Sequence, residues 1–184
     1  MTHFPDDKPI LDAAFRVDQV PPAGKAISVV ADAEQRVAMA DLLGITSVGA
    51  LSAELKAVKF RGGIRVEGRL KARITQPCVI TFEPVVQDID EPIDRVFLPD
   101  ADHHPATAPG AEVFVDLEGE DPPDPLDGPE LDLAPLVTET LALSIDPYPR
   151  AANASIDDLG INDDAGKVSP FDALRALKDI KSGE

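Results

Sequence analysis

The chain has 184 residues, 43% of them apolar, with seven Phe, one Tyr and no Trp, which suits one aliphatic core and leaves no room for a second. Its longest strongly apolar run, Ala26 to Ala31, is far short of the roughly 20 residues a membrane-crossing helix needs, and a single cysteine, Cys78, excludes an internal disulfide and a four-cysteine zinc site. The net charge of −17 is unevenly spread: residues 1–84 hold 11 basic and 10 acidic side chains, residues 85–184 hold 6 and 24, so the acidic half dominates which partners are attracted.

The opening MTHFPDDKPI has acids and prolines where a secretory signal would place a basic and then an apolar segment, so a cytoplasmic location is expected. AAFRVDQV and KAISVV read as two strands joined by a turn at Pro21, Pro22 and Gly24. DAEQRVAMADLLGI predicts a helix over about 33–43: Asp32 caps it, Gln35 completes a capping box, Gly44 stops it, and Val37, Ala40 and Leu43 share a face. From Val48 to Phe60, apolar Leu51, Ala53, Leu55 and Ala57 alternate as in a half-buried strand, and Arg61, Gly62 and Gly63 form a connection of hairpin length.

In IRVEGRLKARITQPCVITF the even positions are Ile64, Val66, Leu70, Ala72, Ile74, Cys78, Ile80 and Phe82, whereas Arg65, Glu67, Arg69, Lys71 and Arg73 are odd. Successive strand side chains face opposite ways, so this parity sinks the aliphatics and displays a basic row. Lys56, Lys59, Arg61, Arg65, Arg69, Lys71 and Arg73 stand against Glu67 alone between residues 56 and 73. Pro77 lacks a ladder amide and marks an edge, a bulge or a break.

After a turn at Glu83 and Pro84, VVQDIDEPIDRVFLP is a returning strand with Ile89, Ile93 and Phe97 in step. Residues 100–110 are loop by composition, AEVFVDLE is a further strand candidate, and EGEDPPDPLDGPE is a solvated loop. LDLAPLVTETLALSI predicts a helix capped by Asp132, with Pro135 in its first turn and Leu133, Leu136, Val137 and Leu141 on one face. Residues 151–168 form an acidic linker, and SPFDALRALKDIK over 169–181 an amphipathic helix capped by Ser169. The expected whole is α+β: a single domain over 1–150 built on an antiparallel sheet that could curl toward a barrel, flanked by two or three helices.

The series DAEQRVAMADLLGI, VEGRLKARITQPCVITFEPV, LDLAPLVTETLALSIDPYPR and SPFDALRALK resembles the YceD family, within it the alphaproteobacterial type with a CVITFEP core. The resemblance spans roughly residues 10–180. It implies a non-enzymatic role in accumulation of large-subunit (23S) ribosomal RNA. Many relatives carry a second cysteine soon after the first and more after the LDL segment; here Phe82 and SIDPYPRAAN stand there, so no metal role carries over.

The seven cations are the candidate RNA-binding set, since residues two apart on one strand stand about 6.6 Å apart and can track phosphates. The competing reading is a solvated strand face neutralised by Asp88, Asp90, Glu91 and Asp94. The acidic second half suggests another partner, a basic large-subunit ribosomal protein that the chain would shield. Neither a cofactor nor a small-molecule substrate is expected: there is no P-loop or dinucleotide fingerprint, and His103 and His104 beside Asp100 and Asp102 read as loop bystanders rather than metal ligands.

Overall fold

A computed structural model describes residues 10–99 and 122–155. In chain order these form β1 (Ala14–Arg16), a 3-10 turn (Val17–Gln19), β2 (Lys25–Val30), α1 (Ala33–Leu43), β3 (Ser47–Phe60), β4 (Gly63–Pro77), β5 (Pro84–Leu98), β6 (Asp124–Pro125), β7 (Glu130–Asp132) and α2 (Ala134–Ser144). The five-stranded sheet runs β2-β3-β4-β5-β6, antiparallel except for the β5–β6 pair, and β1 and β7 make a separate antiparallel ribbon. The architecture is α+β, as the sequence predicts, with an open sheet rather than a barrel: β2 ends it on one side and the short β6 on the other.

The alternation in β3 and β4 builds the centre. Leu51, Ala53, Leu55 and Ala57 of β3, and Ile64, Val66, Leu70, Ala72 and Ile74 of β4, are buried with Ile89, Ile93 and Phe97 of β5. They join one cluster with Met39 and Ala40 of α1, Leu136, Val137 and Leu141 of α2, and Phe15 and Leu131 of the ribbon. One sheet face is thus the core, and helices and ribbon cover it. Arg61 (φ 47°) and Gly62 (φ 86°) turn the chain between β3 and β4, where two successive positive φ values match the twist of a tight hairpin.

Local signals place both helices. Asp32 Oδ1 accepts from the Gln35 amide at 2.8 Å while Gln35 Oε1 accepts from the Asp32 amide at 2.8 Å, the reciprocal capping box, and Gly44 closes α1 in the left-handed conformation. Val37 departs from expectation: it is 63% exposed, because α1 buries its Met39 and Ala40 side instead. At the start of α2 the N-cap position is Leu133 rather than the expected Asp132, whose carboxylate, at the end of β7, accepts from the Ala134 amide at 2.9 Å. All four predicted apolar residues, Leu133, Leu136, Val137 and Leu141, are buried. Gln87 anchors the end of α2: its Nε2 donates to Ser144 O at 2.8 Å and its Oε1 accepts from Asp146 N at 3.1 Å.

The two strands expected before residue 32 form as β1 and β2, each with its partner elsewhere: β1 joins β7 and β2 joins β3. Two further expectations change. Strand β4 ends at Pro77, yet Cys78 and Ile80 stay buried within the turn as their even parity predicts; Phe82 breaks it, being 78% exposed at φ 61°. Within the expected solvated loop, Leu126 is buried and donates its amide to Leu98 O at 2.9 Å, aligning β6 with the end of β5. Ala151 N reaches Cys78 Sγ at 3.4 Å and Val79 N donates to Pro149 O at 2.9 Å, so the chain is tied to the sheet as far as Ala151. The strand candidate at 111–118, the histidine loop, most of the expected linker and the 169–181 helix lie outside the described residues.

Candidate nucleic-acid interface

The register decides which of the seven predicted cations share a surface. Arg65, Arg69, Lys71 and Arg73 alternate with buried residues along β4, and Lys56 lies opposite Glu67, which puts these five on the sheet face away from the core. Lys59 has the opposite parity, pairing with the buried Ile64, so it belongs to the other face at the sheet end. Arg61 sits in the hairpin turn, its guanidinium 4.9 Å from the Phe60 ring centroid. The fold therefore gathers five of the seven.

On that face the arginines are already engaged by β5. Arg73 lies opposite Asp88 and donates to it at 2.6 and 3.0 Å. Arg69 reaches diagonally to Asp90 at 2.8 Å, and Arg65 diagonally to Asp94 at 2.9 Å and back to Glu67 at 2.9 Å. Of the four acids predicted to neutralise the row, Glu91 does not take part: it pairs with Leu70 and points to the other face. Glu54, which the sequence reading did not single out, stands beside Arg69 in the register and accepts from the Ser28 hydroxyl at 2.7 Å. Among the described residues five cations (Lys56, Arg65, Arg69, Lys71, Arg73) and five carboxylates (Glu54, Glu67, Asp88, Asp90, Asp94) share this face, and their formal charges cancel. Among the described residues Lys56 and Lys71 have no ion pair.

Hydrogen bonds from Arg73, Arg69 and Arg65 hold the carboxyls of Asp88, Asp90 and Asp94 below the ordinary carboxylate value, and Asp88 in turn raises Arg73. A carboxyl whose folded pKa lies below its unfolded one stabilises the fold above the unfolded value, and that stabilisation fades as pH falls through the folded value. The thermal midpoint is therefore expected to hold down to about pH 4 and to fall below it. Replacing Asp88, Asp90 and Asp94 together by asparagine should flatten that acid limb; an unchanged limb would show that the ion pairs do not cause it.

Cys78 lies at the end of β4 but is fully buried, its sulfur within 3.4 Å of the amides of Ile80, Thr81 and Ala151. Hydrogen bonding from Thr81, then from Ala151 and Ile80, pulls the thiol down to about 6 against the opposing effect of burial. Closed off from solvent, it is a packing and turn-forming residue. Among the described residues no three His, Cys, Asp or Glu side chains are grouped to hold a metal, and no helix is long and apolar enough to cross a membrane.

A family model described as large ribosomal RNA subunit accumulation protein YceD matches residues 66–178, from β4 through α2 and beyond. Arg69, Lys71 and Arg73 fall inside the match, and Lys56, Lys59, Arg61 and Arg65 precede it. No curated protein and no solved structure matches the chain.

Proposed function

Because the chain belongs to the YceD family, whose description is accumulation of the large-subunit ribosomal RNA, we propose that it acts in the cytoplasm as a non-enzymatic ribosome-biogenesis factor supporting that RNA. In this reading the chain meets ribosomal RNA on the sheet face carrying Lys56, Arg65, Arg69, Lys71 and Arg73, with Arg61 in the turn at its end and Lys59 on the opposite face. The supporting observation is the row of cations that β4 and β3 bring to one exposed face. Phosphates would have to replace Asp88, Asp90 and Asp94 as partners of the guanidiniums, so binding is weak and governed by ion release. Five phosphate contacts imply a loss of about five hundredfold in affinity between roughly 50 and 200 mM salt. Few aromatic side chains are available for stacking, so the contact reads backbone rather than base sequence.

The formal neutrality of that face, within a chain of net charge −17, favours a second reading: an acidic module that binds and shields a basic large-subunit ribosomal protein. Affinity purification of the tagged full chain at low salt, with and without RNase, separates the two. Large-subunit precursor RNA lost on RNase treatment supports the first reading, and one basic ribosomal protein retained through it supports the second. Recovery of neither would sink both.

A further inference from the structure

Leu98 O accepts from Leu126 N across β6, and Cys78 N donates to Glu83 O across the β4–β5 turn. With an unbroken register between β4 and β5, these two bonds fix the direction of every peptide group in β5. Odd-numbered residues bond to β4, and even-numbered residues turn their N–H and C=O groups outward, as in any antiparallel ladder. Pro92, which has no amide to offer, falls on an outward position. Among the described residues, β6 occupies this outer edge only at Phe97 and Leu98. Among the described residues the outward amides of Val86, Asp88, Asp90, Asp94 and Val96 have no strand partner, and an edge of this length is a template for strand addition.

The geometry points to this edge as the docking site of an extended, lysine- or arginine-rich polypeptide segment that adds to the sheet as a further strand. The residues with outward backbone groups include Asp88, Asp90 and Asp94, so alternate residues of an added strand would have their Cβ atoms about 5 Å from those of the aspartates. Each of these carboxylates has an arginine on its inner side and is exposed; a carboxylate has lone pairs for a second cation. Charge decides between occupants. A second copy pairing through its own β5 would set acids against acids. The chain's own AEVFVDLE carries Glu112, Asp116 and Glu118 at one parity, which would oppose the same row. The inference rests on the protein-partner reading above and gives that partner a place and a conformation.

The test uses the full chain, a short synthetic peptide alternating valine and lysine, and the same peptide with glutamate for lysine. Hydrogen exchange is expected to slow at Val86, Asp88, Asp90, Asp94 and Val96 with the lysine peptide and not with the glutamate peptide. Asp88→Lys with Asp94→Lys should weaken the lysine peptide about tenfold or more. Slow exchange at those amides in the free chain would mean that its own residues or a second copy already fill the edge, overturning the proposal. Protection elsewhere, equal protection by both peptides, or protection of these amides by an RNA oligomer would overturn it too. If a basic ribosomal protein survives RNase on the tagged chain while the edge stays unprotected, this inference fails and the protein-partner reading stands. If no such protein is captured, that reading fails as well.

Discussion

Leu70→Ala is expected to destabilise the chain by about 2–5 kcal/mol, out of a total on the order of 5–15 kcal/mol. Leu70 is 0% exposed at the centre of β4, between Ala53 of β3 and Glu91 of β5. Truncation removes its apolar contacts and leaves a cavity that strands bonded on both sides cannot close. The adjacent Lys71 points the other way, into water, and has no ion pair among the described residues; Lys71→Ala should shift stability by no more than about 0.5 kcal/mol. Urea denaturation of the two variants reads both numbers. Similar losses at the two neighbours would mean that β4 is not divided into a buried and a solvated side.

The second large effect is expected at Gly68. A Cβ built there would lie 2.1 Å from the Glu54 carbonyl oxygen and 2.8 Å from Leu55 Cα. Both are backbone atoms of the neighbouring strand, so no side chain can rotate out of the way and β3 and β4 must part. Gly68→Ala should cost about 3 kcal/mol, at the upper end of ordinary overpacking. Gly49 is the control: a Cβ there would meet only Arg73, its carbonyl oxygen at 3.5 Å and its Cγ at 3.7 Å, both ordinary contacts, so Gly49→Ala should change stability by about 0.5 kcal/mol or less. A tolerated Gly68→Ala, measured by the same denaturation, would show that the strands separate more easily than their close approach suggests.

Much of this was legible in the sequence wherever the signal was local. The alternation in β3 and β4 depends on nearest neighbours along one strand, and it placed Leu51, Leu55, Leu70 and Ile74 in the core. The capping box at Asp32 and Gln35 is likewise closed within one turn. The misses involve residues whose environment is set from afar. Val37 fits a helical stripe, but the stripe that reaches the sheet is the one bearing Met39 and Ala40, a matter of how α1 lies on β3. Phe82 continues the even parity by number, yet the strand ends at Pro77 and a positive φ swings the ring into solvent. For the candidate interface, the basic row was visible, but its membership was not. Lys59 and Arg61 leave the row because of parity and the hairpin. Which acids meet which arginines follows from the β4–β5 register, which only pairing across the turn can set.

The β1–β7 ribbon joins Ala14, Phe15 and Arg16 to Asp132, Leu131 and Glu130, two segments that bracket strands pairing mostly with their immediate neighbours. During synthesis, β2 to β5 can find one another as they emerge, because each waits only for the next. Phe15 has no such neighbour and must wait for Leu131, made more than a hundred residues later. A nascent chain therefore carries uncovered apolar surface at its leading end until translation is well advanced, and α2, directly behind β7, cannot seat before then. Its final fastening belongs to the late phase of its own production.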